Sequence, residues 1–102
     1  MEILQDDLFI KAETALRDGT AVIAKVGSCP KLAPSQRDRL INGITRLIDR
    51  IALSARLAIE ARNAGDSSCL AAASSILVRH LSLAGESLPA IERRITEGSV
   101  HA

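Results

Sequence analysis

Apolar residues recur at intervals of three and four positions along most of the chain, which is the period of an amphipathic α-helix. Turn-forming residues interrupt this pattern at 27–35, 63–66 and 84–89. The pattern predicts an all-α fold: an antiparallel bundle of three to four helices with a long central second helix and a short C-terminal helix. We expect one domain over residues 1–102, with the helices at about 3–26, 35–63, 66–84 and 88–97.

The residues between these segments indicate where the helices begin and end. Ser35 and Asp66 are suitable N-caps, and Gly65 is placed for a left-handed turn that closes a tight hairpin between the second and third helices. Ser87 could cap the fourth helix with Pro89 in its first turn; alternatively, Pro89 only kinks a continuing third helix. Residues 99–102 are expected to be a frayed tail.

The apolar face of the first helix has a centre of small residues, Ala12, Ala15 and Gly19. A glycine inside a helix lowers helix stability by about 1 kcal/mol relative to alanine. We therefore expect that Gly19 allows the close approach of a neighbouring backbone. The alternative is a helix break at Asp18–Gly19. We expect the core to contain Leu8, Leu16, Ile23, Leu40, Ile44, Leu47, Ile51, Ala58, Leu70, Leu77 and Leu81.

Composition narrows the function classes. Hydrophobic residues make up 47% of the 102 residues, but aromatics only 1%, so little is available to stack on a base or a sugar. A net charge of +1 argues against a protein dedicated to binding nucleic acids or anionic membranes, because such proteins carry a clear excess of basic residues. We expect two free thiols at Cys29 and Cys69, no signal peptide, no membrane span and a cytoplasmic location.

No arrangement of residues indicates catalysis. His80 falls on the apolar face of the third helix, where a hydrogen-bonded core histidine is expected, and His101 falls in the tail. The carboxylates are scattered, the glycines are isolated, and the Cys and His spacing fits no zinc motif. We therefore expect a non-enzyme that needs no cofactor and no metal. A helix-turn-helix is also excluded, because a long loop with two prolines precedes the second helix.

The far side of the second helix carries a second cluster of residues that mixes leucine and arginine. Its members are Arg39, Arg46, Arg50, Leu53 and Leu57. We expect Arg46 to be able to pair with Asp49, and Arg56 with Glu60. Arginine is favoured at protein interfaces, so the cluster is a candidate partner-binding site. It could instead be covered by the first or fourth helix, pair with a second copy, or bind phosphates.

These observations favour a cytoplasmic, non-enzymatic helical module that binds a partner protein or itself. A small dimeric regulator, inhibitor or adaptor would have these properties. The alternative is a nucleic-acid-associated regulator that uses the arginines of the second helix, although we expect neither a nucleic-acid nor a membrane partner.

Residues 47–85 resemble the central hairpin of histidine phosphotransfer (HPt) domains; their sequence is LIDRIALSARLAIEARNAGDSSCLAAASSILVRHLSLAG. Gly65-Asp66 match the turn of that family, Leu77 the leucine of its motif, and Gly85 a later glycine. Ser75 occupies the place of the phosphorylated histidine, Val78 and Arg79 replace Lys-Gly, and His80 is out of register. The resemblance implies a helical bundle with this hairpin, and at most a degenerate HPt-like signalling protein without phosphotransfer.

Overall fold

A computed structural model describes the backbone of residues 2–101 and the side chains of residues 7–96. The described chain forms three helices: α1 (Glu2–Gly27), α2 (Pro34–Ala64) and α3 (Ser67–His101). They run up, down and up, and each contacts the other two. The predicted all-α fold is confirmed, and α3 rather than α2 is the longest helix.

The predicted break after residue 84 and the separate fourth helix at 88–97 are wrong. α3 continues through Pro89 without interruption, although a proline inside a helix costs about 3 kcal/mol. Packing offsets this cost: Leu88 is buried, and Ile91 packs against the core. Lys25 of α1 also binds Glu92, with an Nζ–Oε2 distance of 3.1 Å. The tail expected to fray is helical as far as residue 101, and residue 102 lies outside the described residues.

The helix ends are partly as predicted. Asp66 is the N-cap of α3, and its Oδ1 accepts the backbone N–H of Cys69 at 3.0 Å. Gly65 has the expected left-handed conformation, with φ of 72°. Ser35 is not the N-cap of α2, because Pro34 occupies the first turn and Ala33 is the capping residue.

The core is narrower than predicted. The largest fully buried side chains are Val22, Val26, Ile51 and Leu77, and small residues such as Ala12 fill the spaces between helices. Four predicted core residues are buried: Ile44, Ile51, Ala58 and Leu77. The other seven are only half-buried: Leu8, Leu16, Ile23, Leu40, Leu47, Leu70 and Leu81. Three slender helices have too few layers to bury a wide apolar face.

The molecule is a rod that exposes more surface than its mass requires. It measures 54 × 22 × 16 Å, and its radius of gyration is 15.9 Å, against about 13 Å for a compact domain of this length. Its accessible surface is 6883 Å². A typical monomer of 10.8 kDa exposes about 5,500 Å². The surplus is roughly a quarter, and it identifies surface that further packing could bury.

Candidate protein-interaction face

Leu53 and Leu57, the apolar members of the predicted site, are exposed. The exposed fractions of their side chains are 55% and 46%. The idea that the first helix or a C-terminal helix of the same chain covers them is therefore wrong. The segment expected to fold back as a fourth helix instead extends α3.

The hairpin of α2 and α3 places these leucines beside a groove. Arg39 and Gly43 of α2, with Ser87 and Ile91 of α3, line a groove of about 270 Å³ between the two helices. Leu57 follows Arg39 by five full helical turns, so it extends the same side of α2. The predicted cluster thus begins with Arg39 at the edge of the groove and continues along the same side of α2 beyond it.

α3 contributes two further apolar residues that the sequence interpretation missed. Ile76 and Leu83 have exposed fractions of 46% and 45%. Leu83 lies one turn before Ser87, and Ile76 lies three turns before it, so both extend the groove-lining side of α3. Their seven-residue spacing indicates that they share a side of α3, but not that this side is exposed. We call the combined surface the α2–α3 face; it comprises Arg39, Arg46, Arg50, Leu53, Leu57, Ile76, Leu83, Ser87 and Arg94.

A second groove continues the first toward the loop between α1 and α2. It has a volume of about 100 Å³ and is lined by Leu32, Leu40, Ile91, Arg94 and Ile95. Leu40 and Ile91 line both grooves, so the apolar floor is continuous.

The side chain of Arg37 bridges two carbonyl groups of the loop beside this second groove. The Nη2 group of Arg37 donates hydrogen bonds to the carbonyl oxygens of Cys29, at 3.1 Å, and Leu32, at 3.2 Å. These bonds fix the backbone of the loop, and with it the position of Leu32 in the groove wall.

The arginines of the predicted site carry uncompensated charge. Arg39, Arg46 and Arg50 are exposed and have no ion pair among residues 7–96. The expected Arg46–Asp49 and Arg56–Glu60 pairs do not form. Exposed pairs of this kind gain little, because water screens the charges and the side chains lose freedom. The α2–α3 face is therefore both apolar and positively charged.

The residues considered for catalysis do not converge on a site. His80 is half-buried, and its Nδ1 atom is buried without a hydrogen-bond partner, contrary to the expected hydrogen-bonded core histidine. Ser75, which the HPt resemblance places where that family has its histidine, is exposed. Within the described part of the chain, no three His, Cys, Asp or Glu residues form a group that could hold a metal.

The two cysteines are free, as expected, and differ in environment. Cys29 is buried in the loop, and Cys69 is exposed in the first turn of α3. Asp66 contacts Cys69: a hydrogen bond from the Cys69 backbone lowers the pKa of Asp66. The hydrogen bond between the side chains, together with the charge of Asp66, raises the pKa of the Cys69 thiol.

α3 is more apolar than the sequence interpretation allowed. The helix over Ser67–Thr96 is long and apolar enough to cross a membrane by length and composition alone: an 18-residue window in it has a mean hydropathy of 1.2, and 17% of that window is buried. Core helices of globular proteins meet the same standard, so this is weak evidence for a membrane. The low buried share shows that much of the apolar content of α3 lies on the surface.

None of the known protein families, curated proteins or solved structures matches this chain.

Proposed function

We propose that this protein is a non-enzymatic helical interaction module that acts in the cytoplasm. It binds a partner protein through the α2–α3 face and works as a small regulator, inhibitor or adaptor. One observation carries the proposal: Leu53, Leu57, Ile76 and Leu83 are about half exposed on a single side of the hairpin. Leaving a large aliphatic side chain in water forgoes about 1.5–3 kcal/mol of burial, so a partner that covers all four gains a substantial driving force.

The amount and composition of the surface support this proposal. A standard interface buries about 800 Å² on each partner, and the surplus surface of this chain is of that order. Arginine is enriched at interfaces and lysine is depleted there. All three lysines of the chain, at 11, 25 and 31, lie outside α2 and α3. The hairpin therefore has the composition of an interface.

Three further possibilities are proposals of lower rank. A second copy of the chain could occupy the face in a two-fold symmetric homodimer. Nucleic-acid binding is favoured by the unpaired charges of Arg39, Arg46 and Arg50, which could contact phosphates. However, binding to phosphates would leave Leu53 and Leu57, on the same α2–α3 face, without an apolar contact. An HPt-like signalling role without phosphotransfer would also use the surface of this hairpin to contact its partner.

The experiment replaces Leu53 and Leu57 with glutamate. The double variant should keep its helical circular dichroism but lose a self-associated mass in light scattering or lose capture of its partner. The matched control is Ile10→Glu with Val78→Glu, because these side chains are equally exposed, at 61% and 49%, and lie off the face. Equal behaviour of the two double variants in both assays would contradict the proposal.

A further inference from the structure

We infer that the partner segment is an amphipathic helix with an apolar stripe flanked by acidic residues, which lies along the α2–α3 groove and completes a four-helix bundle. This inference rests on the proposed function and specifies the chemistry of the partner. Its basis is the shape of the groove, the charge along its edges and the surplus surface of the rod.

The α2–α3 face, with the groove at one end, has the length that a bound helix requires. From Arg39 to Leu57 the face spans eighteen residues, or about 27 Å, which matches a helix of roughly 18–20 residues. The floor is apolar where Ile44, Leu47 and Leu88 line it. A β-carbon added to Gly43, which lines the same groove, would meet nothing within 4 Å. The wall is therefore low at this position, and another helix can approach closely there.

The charge around the groove is of one sign. Arg39 lines one groove and Arg94 lines the next, and no acidic residue lines either. Arg46 and Arg50 extend the positive edge along α2. Of the acidic residues of α2, Asp49 and Glu60 border Leu53 on the side away from the grooves, and neither they nor Asp38 line the grooves. A partner must therefore supply the negative charge.

This charge pattern disfavours a second copy of the chain as the occupant. If two copies met face to face in parallel, the arginines of one would oppose those of the other. If they met antiparallel, Arg39 and Arg46 of one copy would cover Leu53 and Leu57 of the other. The first arrangement brings like charges together, and the second leaves the leucines without an apolar contact, whereas a helix with acidic flanks compensates the charge and covers the leucines in one step.

The test is a selection from a displayed library of helices about 20 residues long. Each helix has a fixed stripe of leucine, and its flanking positions are randomised among Glu, Lys, Gln and Ser. The full-length protein should enrich Glu at the flanking positions. The Arg39→Glu/Arg46→Glu/Arg50→Glu variant, selected in parallel, should enrich Lys instead. The affinity of an enriched acidic helix should fall at least tenfold on Leu53→Glu/Leu57→Glu substitution and also fall as salt concentration rises.

The outcomes separate this inference from the proposed function. Enrichment of neutral or basic helices by the natural protein, or no enrichment, overturns the inference. If light scattering then shows a dimer that Leu53→Glu/Leu57→Glu dissociates, the occupant is a second copy, and the proposed interaction function survives. If that variant changes neither mass nor partner capture, both fail. Salt-dependent binding of a DNA duplex that requires the three arginines but tolerates the leucine substitutions would also overturn both.

Discussion

A β-carbon placed on Gly19 of α1 would lie 2.7 Å from Cδ1 and 2.8 Å from Cγ1 of Ile48 in α2. Real side-chain contacts are not this short, so α1 and α2 are as close as they are because residue 19 has no side chain. The sequence predicted the close approach of a neighbouring backbone, but the group packed on Gly19 is the side chain of Ile48. α1 continues through Gly19 without the alternative break. The contact holds α1 against one side of α2 and leaves the groove on its other side open.

Alanine substitution should therefore have opposite effects at two helical glycines. Gly85 is exposed in α3, and a β-carbon there would meet nothing within 4 Å, so Gly85→Ala should raise the free energy of unfolding by about 0.5–1 kcal/mol. Gly19→Ala should lower it by about 1 kcal/mol, because overpacking exceeds the gain in helix propensity. Urea denaturation measures both. A double-mutant cycle with Ile48→Ala should show that the two substitutions compensate, and independent effects would contradict the contact.

Pro89→Ala should stabilise the protein. In a continuous α3 the proline leaves the Gly85 carbonyl without its helical hydrogen bond, so alanine should raise the free energy of unfolding by about 1–3 kcal/mol. Thermal denaturation followed by circular dichroism measures the change. A neutral or destabilising effect would instead indicate that a new helix begins at this position, where proline is favoured.

The N-cap of α3 should make stability depend on pH at the acidic end. The pKa of Asp66 is lowered in the folded protein from its usual 3.8. A lowered pKa means that the carboxylate stabilises the fold above its unfolded pKa and loses this effect as the pH falls through the folded value. Asp66→Ala should therefore be less stable than the natural protein at neutral pH, with the difference vanishing in acid. A difference that persists unchanged at pH 2 would contradict the role of the charge.

The two thiols should react at very different rates. Cys69 is exposed and Cys29 is buried, so iodoacetamide should modify Cys69 first, as peptide mass spectrometry can show. Since Asp66 raises the pKa of Cys69, Asp66→Ala should speed that reaction near neutral pH by increasing the thiolate fraction. The Cys69→Ser variant is the control and should react slowly. Faster modification of Cys29 than of Cys69 would contradict the arrangement.

Local signals in the sequence were sufficient for most of the fold. The three-four spacing of apolar residues gave all-helical structure, and Gly65-Asp66 marked the turn between α2 and α3. Pro89 was misleading, because its cost to a helix is local, whereas the burial of Leu88 and the contact between Lys25 and Glu92 depend on the tertiary fold. The depth of the core was also not predictable, since it depends on how closely the helices approach.

The candidate site was predictable on one helix and not on the other. Leu53 and Leu57 were recognisable because arginines share their side of α2. Ile76 and Leu83 were not recognisable as part of the site, and only the packing of the hairpin shows that they are exposed. Periodicity identifies which residues share a side of a helix. Whether that side is covered depends on how many helices the chain supplies.

The most direct test of the interaction face compares stability with binding in the same variant, Leu53→Glu/Leu57→Glu. Because both side chains are half exposed, the free energy of unfolding of the isolated protein should change by less than about 0.5 kcal/mol. Calorimetric affinity for a helix selected by the natural protein should fall at least about tenfold, since the apolar contacts of two half-exposed leucines are lost. A loss of stability above about 2 kcal/mol with unchanged affinity would show that these leucines serve the fold and not a partner.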